Sequence, residues 1–424
     1  MLGIVGRLSS NREVQTVMLD QALVSGTNFF SGVVIARSLG PDQFGVFSLA
    51  WTGVLFAVSL HFSSVTAPMM SIGPKEQSNE PLYYSKAFSQ HLVIMMILVV
   101  LSALGAWLSD QYFDQRQLDG FVLVLPFLVA AFTTQEFLRR LCFTQHRPSR
   151  ALVSDALRYG VQIILLTALW LSGEASLEKM LWIIALCASL GCLPIIGLDL
   201  RLVHSAAHWV RHYHFSKWMI GGAVVTWFSG NLFLVAAGAV LGASAAGAYR
   251  AAQQLTGPLQ VLMQGLDNLI PVRLAEALSS HRDDLRKQAN RLTILTVAAC
   301  APLVGLLVVV PEPLMRLFFG DSFAPYAYLV PWFTLATATI TIATAWRGGL
   351  RALEITRPFF MIFAVSAALC MLTAEFLVRQ YGLQGAVLGV VAVTALQQSY
   401  FAVLFYKNAR RPLVTQGGDS FEDE

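Results

Sequence analysis

Long apolar runs separated by short polar punctuation dominate this chain. Twelve runs fall at roughly 15–37, 43–66, 87–109, 120–141, 151–172, 177–199, 216–241, 246–270, 290–310, 325–346, 357–378 and 385–406. Each is close to the ~20 residues that an α-helix needs to cross a hydrocarbon layer of ~30 Å. The breaks carry Gly, Pro or charge, as at Gly73-Pro74-Lys75, Arg147-Pro148, Gly173-Glu174, Pro311 to Asp321 and Arg357-Pro358. Such residues end helices or seek water. The pattern predicts an all-α, polytopic membrane protein with 12 transmembrane helices.

Composition sharpens this. The chain is 56% hydrophobic and 13% charged, against roughly 25% charged in soluble domains. No polar segment is long enough to hold a soluble domain. The five cysteines (Cys142, Cys187, Cys192, Cys300 and Cys370) lie in or at the ends of apolar runs without a Cys-x-x-Cys pair, so they read as small apolar residues. The first apolar run is long and lacks a small-residue cleavage site, so it reads as a retained helix.

Charge gives the orientation. With the N-terminus in the cytoplasm, 22 of the 29 lysines and arginines fall in cytoplasmic segments or at cytoplasmic helix ends. A missed helix would scramble that alternation, so the bias supports the span count and two cytoplasmic termini.

A repeat divides the chain. Leu39 and Leu241, Gly40 and Gly242, and Gly45 and Gly247 are each 202 positions apart, and Phe47 aligns with Tyr249 as an aromatic. Each set sits at a tight corner between two apolar runs. Six spans per half is an even number, so the repeats are parallel, related by an axis along the membrane normal. The expected organisation is an N-terminal six-helix bundle over 1–200, a cytoplasmic interfacial linker over 201–215, a C-terminal six-helix bundle over 216–411, and a disordered acidic tail over 412–424.

Charges within spans are costly and usually face a cavity or a partner. Arg37 ends the first span, Arg250 opens the eighth, and Arg158 lies about two turns inside the fifth. Guanidinium groups suit phosphate through their planar fork of donors, while snorkelling to the headgroups is the structural alternative for Arg37 and Arg250. Asn28 and Asn231 lie mid-span among small residues, suited either to helix packing or to contact with a substrate. Asp20, His61, Glu136 and Asp267 are coupling or gating candidates, with pairing to nearby bases, or a satisfied core histidine, as the structural reading. Gly257-Pro258 is a candidate hinge. His204, His208 and His212 recur at four-residue spacing, but the third lies ~12 Å from the first on a helix, which disfavours a metal site. There is no phosphate loop, nucleophile elbow or nucleotide-binding glycine motif, so the chain reads as a non-enzyme without metal or cofactor, and nothing points to nucleic acid.

The stretch Ala36-Arg37-Ser38-Leu39-Gly40-Pro41-Asp42-Gln43-Phe44-Gly45-Val46-Phe47 resembles the first-hairpin signature of polysaccharide exporters and flippases of the multidrug/oligosaccharidyl-lipid/polysaccharide superfamily. Phe137-Leu138-Arg139-Arg140, Arg250 to Leu259, and Tyr381-Gly382-Leu383-Gln384-Gly385-Ala386 are similar to the same family. The resemblance implies two six-helix bundles around a central cavity, working by alternating access. It also implies a polyprenyl-pyrophosphate-linked oligosaccharide, of the undecaprenyl type, flipped to the outer leaflet of a bacterial inner membrane for O-antigen or exopolysaccharide synthesis. Membrane lipid, a polysaccharide polymerase and export machinery are the partners it suggests. The physics is compatible: a pyrophosphate and several sugars cross oil only through a wet groove with a few cations. Two alternatives stand beside it. A cation-coupled drug exporter of the same fold would suit an acidic cavity better than Arg37, Arg158 and Arg250. A membrane-embedded glycosyltransferase or polymerase usually carries a substantial outer loop, and the loops here are short.

Overall fold

The computed structural model describes residues 2–76, 80–112, 121–195, 200–263, 270, 273–274, 282–353, 355 and 357–409, with side chains from residue 23 apart from 109–112, 121, 195 and 282–284. The described residues form helices and no strand. In chain order the α-helices are α1 Leu2–His61, α2 Ala67–Ile72, α3 Glu80–Tyr112, α4 Phe121–Thr144, α5 Pro148–Leu171, α6 Leu177–Leu190, α7 Ala206–Leu241, α8 Ala243–Leu255, α9 Arg282–Val309, α10 Pro311–Phe319, α11 Val330–Ala352 and α12 Arg357–Asn408. Eight helical stretches are long and apolar enough to cross a bilayer. Two of them, Leu23–Lys75 and Arg357–Asn408, run to 53 and 52 residues, about twice what one crossing needs. Each is folded back at a positive-φ glycine, Gly40 (φ 70°) and Gly382 (φ 60°). With α6, and with α8 continued by residues 257–263, the arrangement is compatible with twelve crossings. The chain is a multi-pass membrane protein.

The predicted corners are real turns. Gly40 (φ 70°, ψ 178°) and Gly242 (φ 92°, ψ 173°) adopt the same conformation, one that side chains other than glycine resist. Segment 201–215 does not stand alone as a linker helix, because α7 starts at Ala206 and runs unbroken to Leu241. Ser205 caps it by accepting the His208 amide, which satisfies a donor the first turn leaves open. The break at Pro311 to Asp321 is more ordered than its punctuation suggests. It holds α10 and a 3-10 stretch, Asp321–Leu329, before α11.

Packing divides the helices into two groups. The first half joins α1 to α5, α3 to α4, and α4 and α5 to α6, while the second joins α7 to α12, α9 to α11, and α11 to α12. α8 lies along α1 of the other half. The apolar core is shared at one end and split at the other. Around the Gly40 and Gly242 corners, here called the hairpin end, one cluster includes Ile35, Phe44, Phe132 and Ile184 from the first half and Phe233, Tyr249, Phe323 and Val387 from the second. At the opposite end the first half closes on Val65, Met69, Tyr84 and Phe137. The second closes separately on Leu285, Leu350, Phe401 and Phe405.

Candidate functional site

At the hairpin end the two repeats meet each other. A Cβ on Gly45 would lie 1.7 Å from the Ala243 carbonyl oxygen, and one on Gly247 would lie 2.1 Å from that of Pro41. Pro41 and Ala243 are themselves 202 apart, so the contact is symmetric: each corner lays its first helical carbonyl on the glycine of the other. Only glycine admits backbones this close. Phe44 packs edge-on to Phe323 at 5.9 Å and Phe29 to Phe318 at 5.4 Å, so the 311–329 segment covers the same seam. Lower down, Gln254 donates to the Phe29 carbonyl at 2.8 Å.

Arg37 belongs to this seam. It is exposed, donates to the Arg316 carbonyl at 3.2 Å, and lies 5.9 Å from the Trp170 ring centroid. A guanidinium at that carbonyl complements the C-terminal end of α10. Arg250 is half-buried about two turns inside α8, donating to Gln253 Oε1 at 2.8 Å. Asn28 is exposed on α1, whereas the Asn231 amide donates to the Trp227 carbonyl of its own helix at 3.0 Å. Gly257 and Pro258 mark a real break: α8 stops at Leu255, Thr256 turns, and helix resumes at 257. Asp267 lies outside the described residues, as does the side chain of Asp20.

Residues 34–328 match the family described as polysaccharide biosynthesis protein. The chain belongs to this family. It is 25% identical over 332 residues to the succinoglycan biosynthesis transport protein ExoT of Rhizobium meliloti, a stretch covering 78% of this chain and 66% of that one. This polysaccharide biosynthesis protein thus spans just under two thirds of that relative's length. Its fold is similar to the inward-facing conformation of a multidrug resistance MATE family transporter of the MOP superfamily, with a TM-score of 0.77, 11% identity, and coverage of 92% and 94% of the two chains. It is also similar to the lipid II flippase MurJ in an inward closed conformation, with a TM-score of 0.69, 12% identity, and coverage of 94% and 87%. An outward-facing MATE transporter scores 0.63 at 11% identity, with 95% of each chain covered.

Within the family fold, Arg158 does not face open space. It is 1% exposed, donates to Gln135 Oε1, and its guanidinium carbon lies 3.8 Å from the Phe132 ring centroid and 4.5 Å from that of Tyr159. Of the two expectations for a charge within a span, a cavity or a partner, the structure shows partners for Arg158. Arg37, Arg158 and Arg250 share no partner and form no single cluster. Arg158 instead joins a buried ionic network that sequence reasoning only half found. Glu136 pairs with Arg139 at 3.5 Å and with Arg140 at 2.7 Å. Asp155, fully buried on α5, accepts from Arg139 and, at 2.7 Å, from Gln135. His61 is likewise internal. Its Nε2 lies 2.8 Å from His91 Nδ1, and His91 Nε2 lies 3.3 Å from Thr134 Oγ1. The π-helical widening over Phe62–Thr66 follows His61 directly, and such widenings often mark functional positions. It contacts α7, where Ser216 donates to the Ser64 carbonyl at 3.3 Å.

Proposed function

We propose that the chain flips a polyprenyl-pyrophosphate-linked oligosaccharide across a bacterial inner membrane, from the cytoplasmic to the outer leaflet. The two bundles, 1–200 and 216–411, rock about their interface by alternating access. The charge bias argues that both termini are cytoplasmic and that the hairpin end is the outer one. The observation that carries the reading is the core that is continuous at the hairpin end and divided at the other. It suits a transporter shut outward and separable inward, with the start of α7 moving with the first bundle, to which Arg211 is tied through Glu76 at 2.6 Å and His212 through the Tyr83 hydroxyl at 2.9 Å. The match to the polysaccharide biosynthesis family and the likeness to ExoT support a glycan as cargo.

Arg37 and Arg250 flank the seam on the helix pair that must part, and they would guide the pyrophosphate. Affinity must stay modest so that the headgroup leaves, which a few arginines satisfy and a full cage would not. The test is export in a strain that depends on this chain. Arg250→Ala should abolish surface glycan at unchanged protein level and make lipid-linked oligosaccharide accumulate inside. Full export by a well-expressed variant would remove Arg250 from the pathway, and accumulation of some other solute would overturn the cargo. Fusions at the C-terminus should report cytoplasm; a reporter active only outside would invert the topology.

A further inference from the structure

The split end of the second half carries a set of donors that the flippase reading does not use. A Cβ on Gly349 would lie 2.3 Å from the Phe405 ring, so that ring lies directly on α11. The next residue, Tyr406, is thereby held edge-on to Trp346, with centroids 6.0 Å apart. From α9, Asn290 accepts the Tyr406 hydroxyl proton at 2.8 Å. One turn earlier Arg286 lies 5.4 Å from the centroid of the same ring. Tyr406 is thus bracketed by a guanidinium and an indole from two other helices.

Two of the donors in this frame are buried without an acceptor: Arg286 Nε and Trp346 Nε1. Cations that only follow the topological charge bias keep their heads in water. Buried donors in native proteins nearly always find an acceptor. Among the second-half carboxylates whose side chains are described, Glu312, Asp321 and Glu375 are exposed, and none contacts Arg286. Lys287 and Lys407, the neighbours of Arg286 and Tyr406, are exposed cations at the rim. Among the described side chains, the frame therefore offers donors and positive charge without a counter-charge. Its aromatic belt of Trp346 and Tyr406 suits the depth of lipid headgroups.

We propose that Arg286 and Trp346, framed by Tyr406, bind the phosphate of a membrane lipid headgroup. A phosphate presents several acceptor oxygens to a guanidinium fork and an indole N–H at once. The rim lysines strengthen the attraction without fixing geometry. Two lipid sources share this chemistry, bulk anionic phospholipid and polyprenyl phosphate, and the site is distinct from the α1–α8 seam.

The test is lipid binding to the purified full-length protein, read by native mass spectrometry and in nanodiscs. The probes are phosphatidylglycerol, undecaprenyl phosphate and a neutral galactolipid. Wild-type protein should bind at least one of the two phosphate lipids saturably. Arg286→Gln should weaken that binding about tenfold, the size of a lost charge-assisted bond. Trp346→Phe, which keeps the ring against Tyr406, should weaken it several-fold. Preference for phosphatidylglycerol assigns the site to bulk lipid, and preference for undecaprenyl phosphate assigns it to the carrier. Wild-type binding by both variants, or equal binding of the galactolipid, overturns the proposal. The readout is binding to the purified protein and not export, so its failure and the failure of the flippase reading are distinguishable.

Discussion

The two halves share a fold but differ in what they bury. The first encloses Glu136, Arg139, Asp155 and Arg158 in one network, and the His61–His91 pair beside it. The second buries hydroxyls instead: Thr334, Thr337, Thr341 and Thr344 each donate to a carbonyl four residues back on α11. Its carboxylates with described side chains, Glu312, Asp321 and Glu375, are exposed. A paired charge network resists rearrangement, since moving one member strands the others in a low dielectric. A hydroxyl bonded within its own helix travels with that helix and constrains nothing else. The contrast is one of cross-linking: buried polar contacts tie helix to helix in the first bundle, and those of α11 stay within one helix in the second.

The largest expected effect comes from breaking the network. Asp155→Ala leaves Arg139 and Gln135 facing an empty site and should destabilise the protein by roughly 3–5 kcal/mol, read as a fall in thermal unfolding midpoint in detergent. Asp155→Asn with Arg139→Gln should restore much of that loss. No loss in the single variant would mean that the network contributes nothing to rigidity. Next is the seam. Gly247→Leu cannot coexist with the Pro41 carbonyl in its present place, so the corners must separate. Labelling of a Ser48→Cys reporter, 1% exposed three residues from Gly45, by an impermeant maleimide should then rise on the order of tenfold or more. Unchanged labelling would show that the seam is not what shuts that end.

Smaller changes sharpen the contrast. His61→Gln should destabilise by about 1–3 kcal/mol, because His91 loses a buried partner. If the pair also carries a proton during transport, the pH profile of export should flatten; an unchanged profile leaves it a structural pair. The smallest effect is expected at Thr337→Val, within about 1 kcal/mol. A loss as large as that of Asp155→Ala would erase the distinction between the halves.

What could be read from the chain follows the range of the signal. The corners were legible because their chemistry is local: a positive-φ glycine before a helix start, then a second glycine one turn on, repeated 202 residues later. α10 left a readable trace as well, with Pro311 opening it, Glu312 in its first turn, Arg316 in its last and Gly320 ending it. Its brevity, and the prolines around it, made it resemble a plain loop. Asp155 and His91 were missed for a different reason. Their partners, Arg139 and His61, come from other helices, and no spacing along one helix reveals which faces will meet. The same limit explains Arg158, whose depth follows from counting residues while its direction depends on how α5 turns against α4.

The seam between the corners has one further consequence. Carbonyl meets glycine directly at two points only, and the apolar cluster shared by the halves surrounds them, so parting the seam uncovers buried apolar surface that pulls it shut again. Phe318 and Phe323 of the 311–329 segment add ring contacts with Phe29 and Phe44 over the same seam. Under the proposed alternating access, two backbones that meet at glycine have no rotamers to re-sort and would close in one register each time they part.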